Sequence, residues 1–191
     1  MSESFLEYKK RILTRVDKSS KQSIDKKIIP LYKKINQLDS FVTTSSCAGR
    51  IVLSRGETKK EYEWLFVSHT QVSRKKLLEQ IQNIKLTNKT VYLKCESFIL
   101  HVSCDTLASA QLLIDGARMV GLARSSIIES KKHIVVELVY AHPIVFVLFE
   151  KKKQLYTEES LQVIVTLLNR QLRKTHKKIK EFETMIEEFF L

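Results

Sequence analysis

The sequence predicts a mixed α/β domain, α+β-like in character, with a mixed sheet, flanking helices and one long C-terminal helix. Three observations carry that prediction. Short strand-like runs are interleaved with helix-spaced apolar residues, but not in a regular β-α-β order. Residues 157–190 hold one unbroken helical pattern. A length of 191 residues suits a single well-buried domain, 1–191, better than two.

Taken in order, residues 4–16 place Phe5, Tyr8, Ile12 and Val16 at helical spacing. A polar linker, DKSSKQS, leads into 24–38, where Ile24, Ile28, Leu31, Ile35 and Leu38 recur at three and four residues. Pro30 within this second helix is expected to kink it or to shift its start. Strands are expected at 41–44, 51–54, 63–69, 91–95 and 98–104. Between them, 74–84 reads as a helix with Leu77, Leu78, Ile81 and Ile84 on one side. Asp105 or Thr106 can cap a helix carrying Leu107, Ala110, Leu113, Ile114 and Ala117, which Gly121 ends. Two β-rich runs, 134–140 and 144–149, are joined by the turn AHP. The last helix opens on TEES, a partial capping box in which Ser160 stands where Glu or Gln is usual, with Glu158 and Glu159 at the positive end.

Composition narrows the function. No apolar run reaches the roughly 20 residues of a membrane helix, and the acidic start MSESFLEYKKR has no apolar core of a secretory signal, so a cytoplasmic protein is expected. The cysteines, Cys47, Cys95 and Cys104, show no CxxC spacing, which points to a reducing compartment and away from a zinc site or a disulfide framework. A formal charge of +12 asks for a polyanionic partner. With 4 glycines and neither GxGxxG nor GxxxxGK[ST], a Rossmann-type nucleotide site is not expected.

The informative stretch is 43–50, TTSSCAGR, flanked by Phe41-Val42 and Ile51-Val52-Leu53. It is expected as a polar connection between two strands, closed by Gly49. Three chemistries fit it. Ser45, Ser46 or Cys47 could act as a nucleophile if folding brought His69 or His101 alongside. The hydroxyls and main-chain amides could hold an anion or zwitterion, with Arg50 forking onto a carboxylate or phosphate. A plain polar β-connection is the third.

TTSSCAGR resembles the (S/T)xSSCxGR signature of the wybutosine-synthesis methyltransferases, with Thr43, Ser45, Ser46, Cys47, Gly49 and Arg50 at the matching positions. Asp17-Lys18-Ser19 and Ser23-Ile24-Asp25 are similar to the family's DxS and S(V/I)D region. Trp64 to His69 resembles its W-x-x-V-(S/T)-H strand, and Phe98 to Val102 its F-x-L-H-V strand. Ala110-Gln111, Gly121 to Ile127 and Thr157-Glu158-Glu159 continue the likeness in order, although Leu122 and Ser126 replace the family's usual aromatic and glycine.

The resemblance implies a non-Rossmann methyltransferase fold. It also implies methyl transfer from S-adenosylmethionine to the ring nitrogen at position four of the demethylated wyosine-type base at position 37 of phenylalanine tRNA. Catalytic residues so implied are Asp25, His69 and Ser46, with Asp25 or His69 accepting the ring proton. Cofactor contacts are expected from Thr43, Ser45, Ser46, Cys47, Gly49, Arg50 and His101, with Cys47 lining the site, since direct transfer needs no covalent intermediate. Lys26, Arg55, Arg124 and Ser125 are expected on the substrate side, and no metal is expected.

Lys18, Lys21, Lys26, Lys27, Arg55, Lys59, Lys60 and the basic stretch 170–180 are candidates to track phosphates of the anticodon stem-loop. Trp64 and Tyr92 are the residue types that stack an unpaired base. The alternative of another class is a catalytically silent basic RNA-binding module, which would bind tRNA but not S-adenosylmethionine.

Overall fold

The computed structural model describes residues 3–15, 24–58 and 60–191. In chain order the elements are α1 (Phe5–Leu13), α2 (Ile29–Gln37), β1 (Phe41–Cys47), β2 (Arg50–Arg55), β3 (Glu63–Ser68), α3 (Arg74–Gln82), β4 (Val91–Glu96), β5 (Ile99–Cys104), α4 (Leu107–Met119), β6 (Ser126–Glu129), β7 (Ile134–Val139), β8 (Ile144–Glu150), β9 (Lys153–Gln154) and α5 (Glu158–Phe190). The mixed α/β class with a long last helix is therefore the fold observed. The chain forms two compact units that alternate along the sequence: Met1–Ala48, Phe98–Ala141 and His176–Leu191 make the first, Gly49–Ser97 and His142–Thr175 the second.

The first unit is built on an antiparallel sheet in the order β1-β5-β7-β6. Alternation along β5 puts Leu100, Val102 and Cys104 on one face, where they join Val136 and Leu138 of β7 in a core closed by residues of α2, α4 and the last turns of α5. Local signals bound the helices. Ser4 caps α1 in a full capping box with Glu7. Pro30 sits in the first turn of α2, where its missing N–H costs nothing, so the helix starts at Ile29 and not at Ile24. Thr106 caps α4 through the Ser109 N–H. Gly121 at φ +86° lets the Leu122 N–H return to the Ala117 carbonyl and stop that helix. On the other face of the sheet, the Tyr8 hydroxyl of α1 meets Ser103 Oγ at 3.1 Å, and its ring stacks on His133 at 3.9 Å.

The second unit carries an antiparallel sheet in the order β3-β2-β4-β8-β9. Its inner face, Ile51, Leu53, Leu93, Cys95 and Leu148, packs against Leu77 and Ile81 of α3 and Leu161, Val165, Leu168 and Leu172 of α5. Asn169 of α5 accepts the Val72 N–H at 2.9 Å and donates to the Val72 carbonyl at 2.8 Å, so the segment before α3 is held by a two-bond clamp.

Three expectations change. The runs 134–140 and 144–149 do not pair across AHP, because β7 and β8 belong to different sheets. The segment after Gly121 contains a short strand, β6, and β8 turns back into β9. The polar stretch after Phe41-Val42 is also not a loop: β1 runs on to Cys47 and β2 begins at Arg50, so only Ala48 and Gly49 separate them.

Candidate active site

A strand of hydroxyls survives because its backbone is satisfied by its neighbour. Thr43 is paired with Val102, Ser45 with His101, Ser46 with Leu100 and Cys47 with Ile99. The register shifts between Thr43 and Ser45, leaving Thr44 as an extra residue. Two side-chain bonds hold this irregularity. Asn36 of α2 accepts the Thr43 N–H at 2.9 Å, and the Thr44 hydroxyl donates to the His101 carbonyl at 3.3 Å. The shift turns Thr44 and Ser45 outward, while Ser46 and Cys47 are half-buried. Thr43 Oγ1 is buried with no hydrogen-bond partner among the described residues. Such a group costs free energy unless a ligand or water completes it.

Asp25 stands where β1 ends. Its carboxylate is buried and accepts the Ala48 N–H at 3.0 Å, while its carbonyl accepts the Ile28 N–H at 2.9 Å in the turn that leads into α2. A carboxylate oxygen of Asp25 and Cys47 Sγ lie within 4.8 Å of each other. The sequence neighbour Lys26 is exposed. His101 lies opposite Ser45 in β5, and its Nε2 is 3.0 Å from Glu137 Oε2 in β7. Glu137, which the sequence does not single out, is paired with His101 across the ladder. Arg124 is exposed, whereas Ser125 is buried with its hydroxyl accepting the Val139 N–H at 3.4 Å.

In the second unit, Gly49 has φ +85°, a left-handed conformation that glycine adopts without a side-chain penalty. Arg50 is committed within its own sheet: Nε bonds Glu96 Oε2 at 2.5 Å, and the guanidinium lies 4.0 Å from the Trp64 ring centroid. Arg55 forks onto Glu63 and also donates to the Lys85 carbonyl at 2.7 Å. His69 directly follows β3 and is half-buried, next to Ser68, whose hydroxyl donates to the Thr70 carbonyl at 2.8 Å. Thus Asp25, Thr43, Ser45, Ser46, Cys47 and His101 share the first unit, at or near the end of β1, while Gly49, Arg50, Arg55 and His69 belong to the second. Asp17, Lys18, Ser19, Lys21, Ser23 and Lys59 lie outside the described residues.

Comparison with known proteins bears on the whole chain. The family model described as Methyltransferase TYW3 matches residues 7–188. A protein of Pyrococcus furiosus named tRNA(Phe) 7-((3-amino-3-carboxypropyl)-4-demethylwyosine(37)-N(4))-methyltransferase 1 is 35% identical, over 97% of this chain and 96% of its own. The human tRNA wybutosine-synthesizing protein 3 homolog is 32% identical over 97% of this chain and 73% of its own. Among solved structures, the PH1069 protein from Pyrococcus horikoshii superposes with a TM-score of 0.88 at 33% identity, covering 96% of both chains.

Proposed function

The chain belongs to the TYW3 methyltransferase family, and from that premise we propose that it methylates the position-four ring nitrogen of the demethylated wyosine-type base at position 37 of phenylalanine tRNA, with S-adenosylmethionine as donor. The observation that carries this reading is the near-complete match to proteins named for that reaction, in a chain that keeps every fixed position of the TTSSCAGR signature. The working unit proposed is the whole chain, 1–191, since each compact unit is assembled from separated segments and neither is a contiguous piece. No helix among the described residues is long and apolar enough to cross a membrane. The enzyme is proposed to be cytoplasmic and to act on the anticodon stem-loop.

The residues at the end of β1 fit the donor. An amino-acid-like tail with an amine and a carboxylate asks for hydrogen-bonding groups of both kinds. The orphaned Thr43 hydroxyl, the Ser46 hydroxyl, which like Thr43 pairs with a core-facing residue of β5, and the Asp25 carboxylate supply them. S-adenosylmethionine supplies a methyl on a sulfonium centre, an already activated leaving group, so no metal is invoked. Thr43, Ser45, Ser46 and Cys47, with Gly49, Arg50 and His101, are proposed to bind and orient it. In-line transfer needs the nucleophile and the methyl carbon held roughly 3–3.5 Å apart with water excluded, so positioning is the larger part of the catalysis. The ring nitrogen must shed its proton, and Asp25 or His69 accepts it. Lys26 and Arg124, both exposed, are proposed to meet substrate phosphates.

Calorimetric titration with S-adenosylmethionine, competed by its demethylated product, tests donor binding. Absence of heat alongside retained tRNA binding would assign the chain to a silent RNA-binding module. Asp25→Asn then tests the base. The amide oxygen can still accept the Ala48 N–H, so the turn is preserved while proton acceptance is lost. At saturating donor, single-turnover methylation followed by mass spectrometry is expected to slow on the order of a hundredfold or more. A wild-type rate in Asp25→Asn with failure of His69→Gln moves the base to His69.

A further inference from the structure

The outer face of the five-stranded sheet carries an aromatic and cationic arrangement of which the methyl-transfer proposal uses Arg50 alone. Along β4, Leu93 and Cys95 point into the core, which sends Tyr92, Lys94 and Glu96 to the other side. The neighbouring strands add Arg50 of β2 and Trp64 of β3. Trp64 is 46% exposed, an unusual position for the largest apolar side chain. The Arg50 guanidinium stacks at 4.0 Å from its centroid, and that guanidinium is itself anchored by Glu96. The Lys94 ammonium lies 5.1 Å from the Tyr62 centroid and 4.6 Å from that of Tyr92, and Tyr62 meets Trp64 edge-on at 6.5 Å. On the far side of β4, Val145 and Val147 pair with Lys94 and Tyr92 and are 53% and 40% exposed, so this part of the face is open to solvent.

We propose that this face is a docking platform for single-stranded RNA, stacking the unpaired bases of a loop on Trp64, Tyr62 and Tyr92. The proposal rests on the tRNA reading above and adds to it the surface that receives the loop. Aromatic rings on an open sheet offer π-faces to bases of any sequence, and interleaved cations favour the phosphates between them. A protein partner would instead favour a face depleted in lysine.

The charge at the margin agrees. The ladder pairs Arg55 with Val91 and Val91 with Phe149, so the β2–β3 connection and the β8–β9 turn emerge at the same end of the sheet. These bring exposed Lys60 from one and Lys151, Lys152 and Lys153 from the other. The carboxylates there are already engaged: Glu63 pairs with Arg55, Glu150 accepts the Thr90 hydroxyl, Glu57 the Tyr92 hydroxyl and Glu61 the Thr58 hydroxyl. A chain of net charge +12 brings such a surface to a polyanion with favourable long-range attraction.

The protein has 1 tryptophan, so its emission reports this face alone. The intact chain is titrated with an unmodified RNA hairpin carrying the anticodon stem-loop sequence of phenylalanine tRNA. Binding is followed by anisotropy of a label on the RNA, and stacking by quenching of Trp64. The two curves are expected to coincide, while the same stem closed into a blunt duplex quenches little. Tyr92→Leu and Lys94→Gln are each expected to weaken hairpin binding on the order of tenfold, with unchanged heat on titration with S-adenosylmethionine. A hairpin that does not bind, or binds without quenching Trp64, overturns the inference. So does wild-type affinity in both variants, or equal quenching by heparin, a polyanion without bases. Loss of S-adenosylmethionine binding in the unaltered protein would sink the methyltransferase reading and leave the stacking result standing.

Discussion

Cys95 and Cys104 sit in the cores of the two units, and their thiols are pushed up to about 12 by burial, with the Glu96 and Asp105 carboxylates adding to the effect. Only the thiolate reacts with alkylating agents, and at neutral pH a thiol of that acidity supplies almost none. Cys47, half-buried at the end of β1, has no such enclosure. Brief iodoacetamide treatment of the native protein, read by peptide mass spectrometry, is expected to modify Cys47 well ahead of the other two, with all three reacting once the chain is unfolded. Labelling of Cys95 or Cys104 at the same rate as Cys47 would contradict the core positions. Protection of Cys47 by S-adenosylmethionine in the same experiment is the outcome its proposed place in the donor site requires. At this scale the sequence was informative about residue type: a small, soft side chain inside a row of hydroxyls is legible as lining. That Glu137 would stand 3.0 Å from His101 was not, because the two come from strands far apart in the chain.

The start of α5 shows how an element can obey a rule that its residues only half match. Ser160 replaces the usual Glu, yet the reciprocal bonds form: the Ser160 N–H donates to Thr157 Oγ1 at 3.2 Å, and the Thr157 N–H donates to Ser160 Oγ at 2.8 Å. Both satisfy donors that the first turn would otherwise leave orphaned. Thr157→Ala is expected to cost about 1 kcal/mol, read as a lowered midpoint in thermal or denaturant unfolding, while Thr157→Ser stays near wild type. No loss in Thr157→Ala would mean that packing of Leu161 and Val165 alone sets the helix start. Strand β1 shows the opposite case. Its apolar opening, Phe41-Val42, announces a strand, but Thr44, Ser45 and Ser46 carry no apolar alternation, so its continuation to Cys47 depends on pairing with β5 and on Asn36.

For the whole molecule, the excess of 33 basic over 21 acidic residues makes a salt-dependent partner the first expectation. Affinity for tRNA is expected to fall linearly on a log-log plot against salt, each neutralised phosphate adding about 0.7 to 0.9 to the slope. A flat response, measured by filter binding over a range of potassium chloride, would remove nucleic acid as a partner. The sequence by itself determined the α/β class, most helix limits and the family, because capping, proline placement and apolar period act over a few residues and the signature is contiguous. It could not determine that 134–140 and 144–149 part into different sheets, that β6 and β9 exist, or that Trp64, Tyr62, Tyr92 and Lys94 share one face of the second sheet. Those outcomes are set by hydrogen bonding and side-chain alternation between strands distant in sequence, and only the tertiary structure chooses the partner and the register.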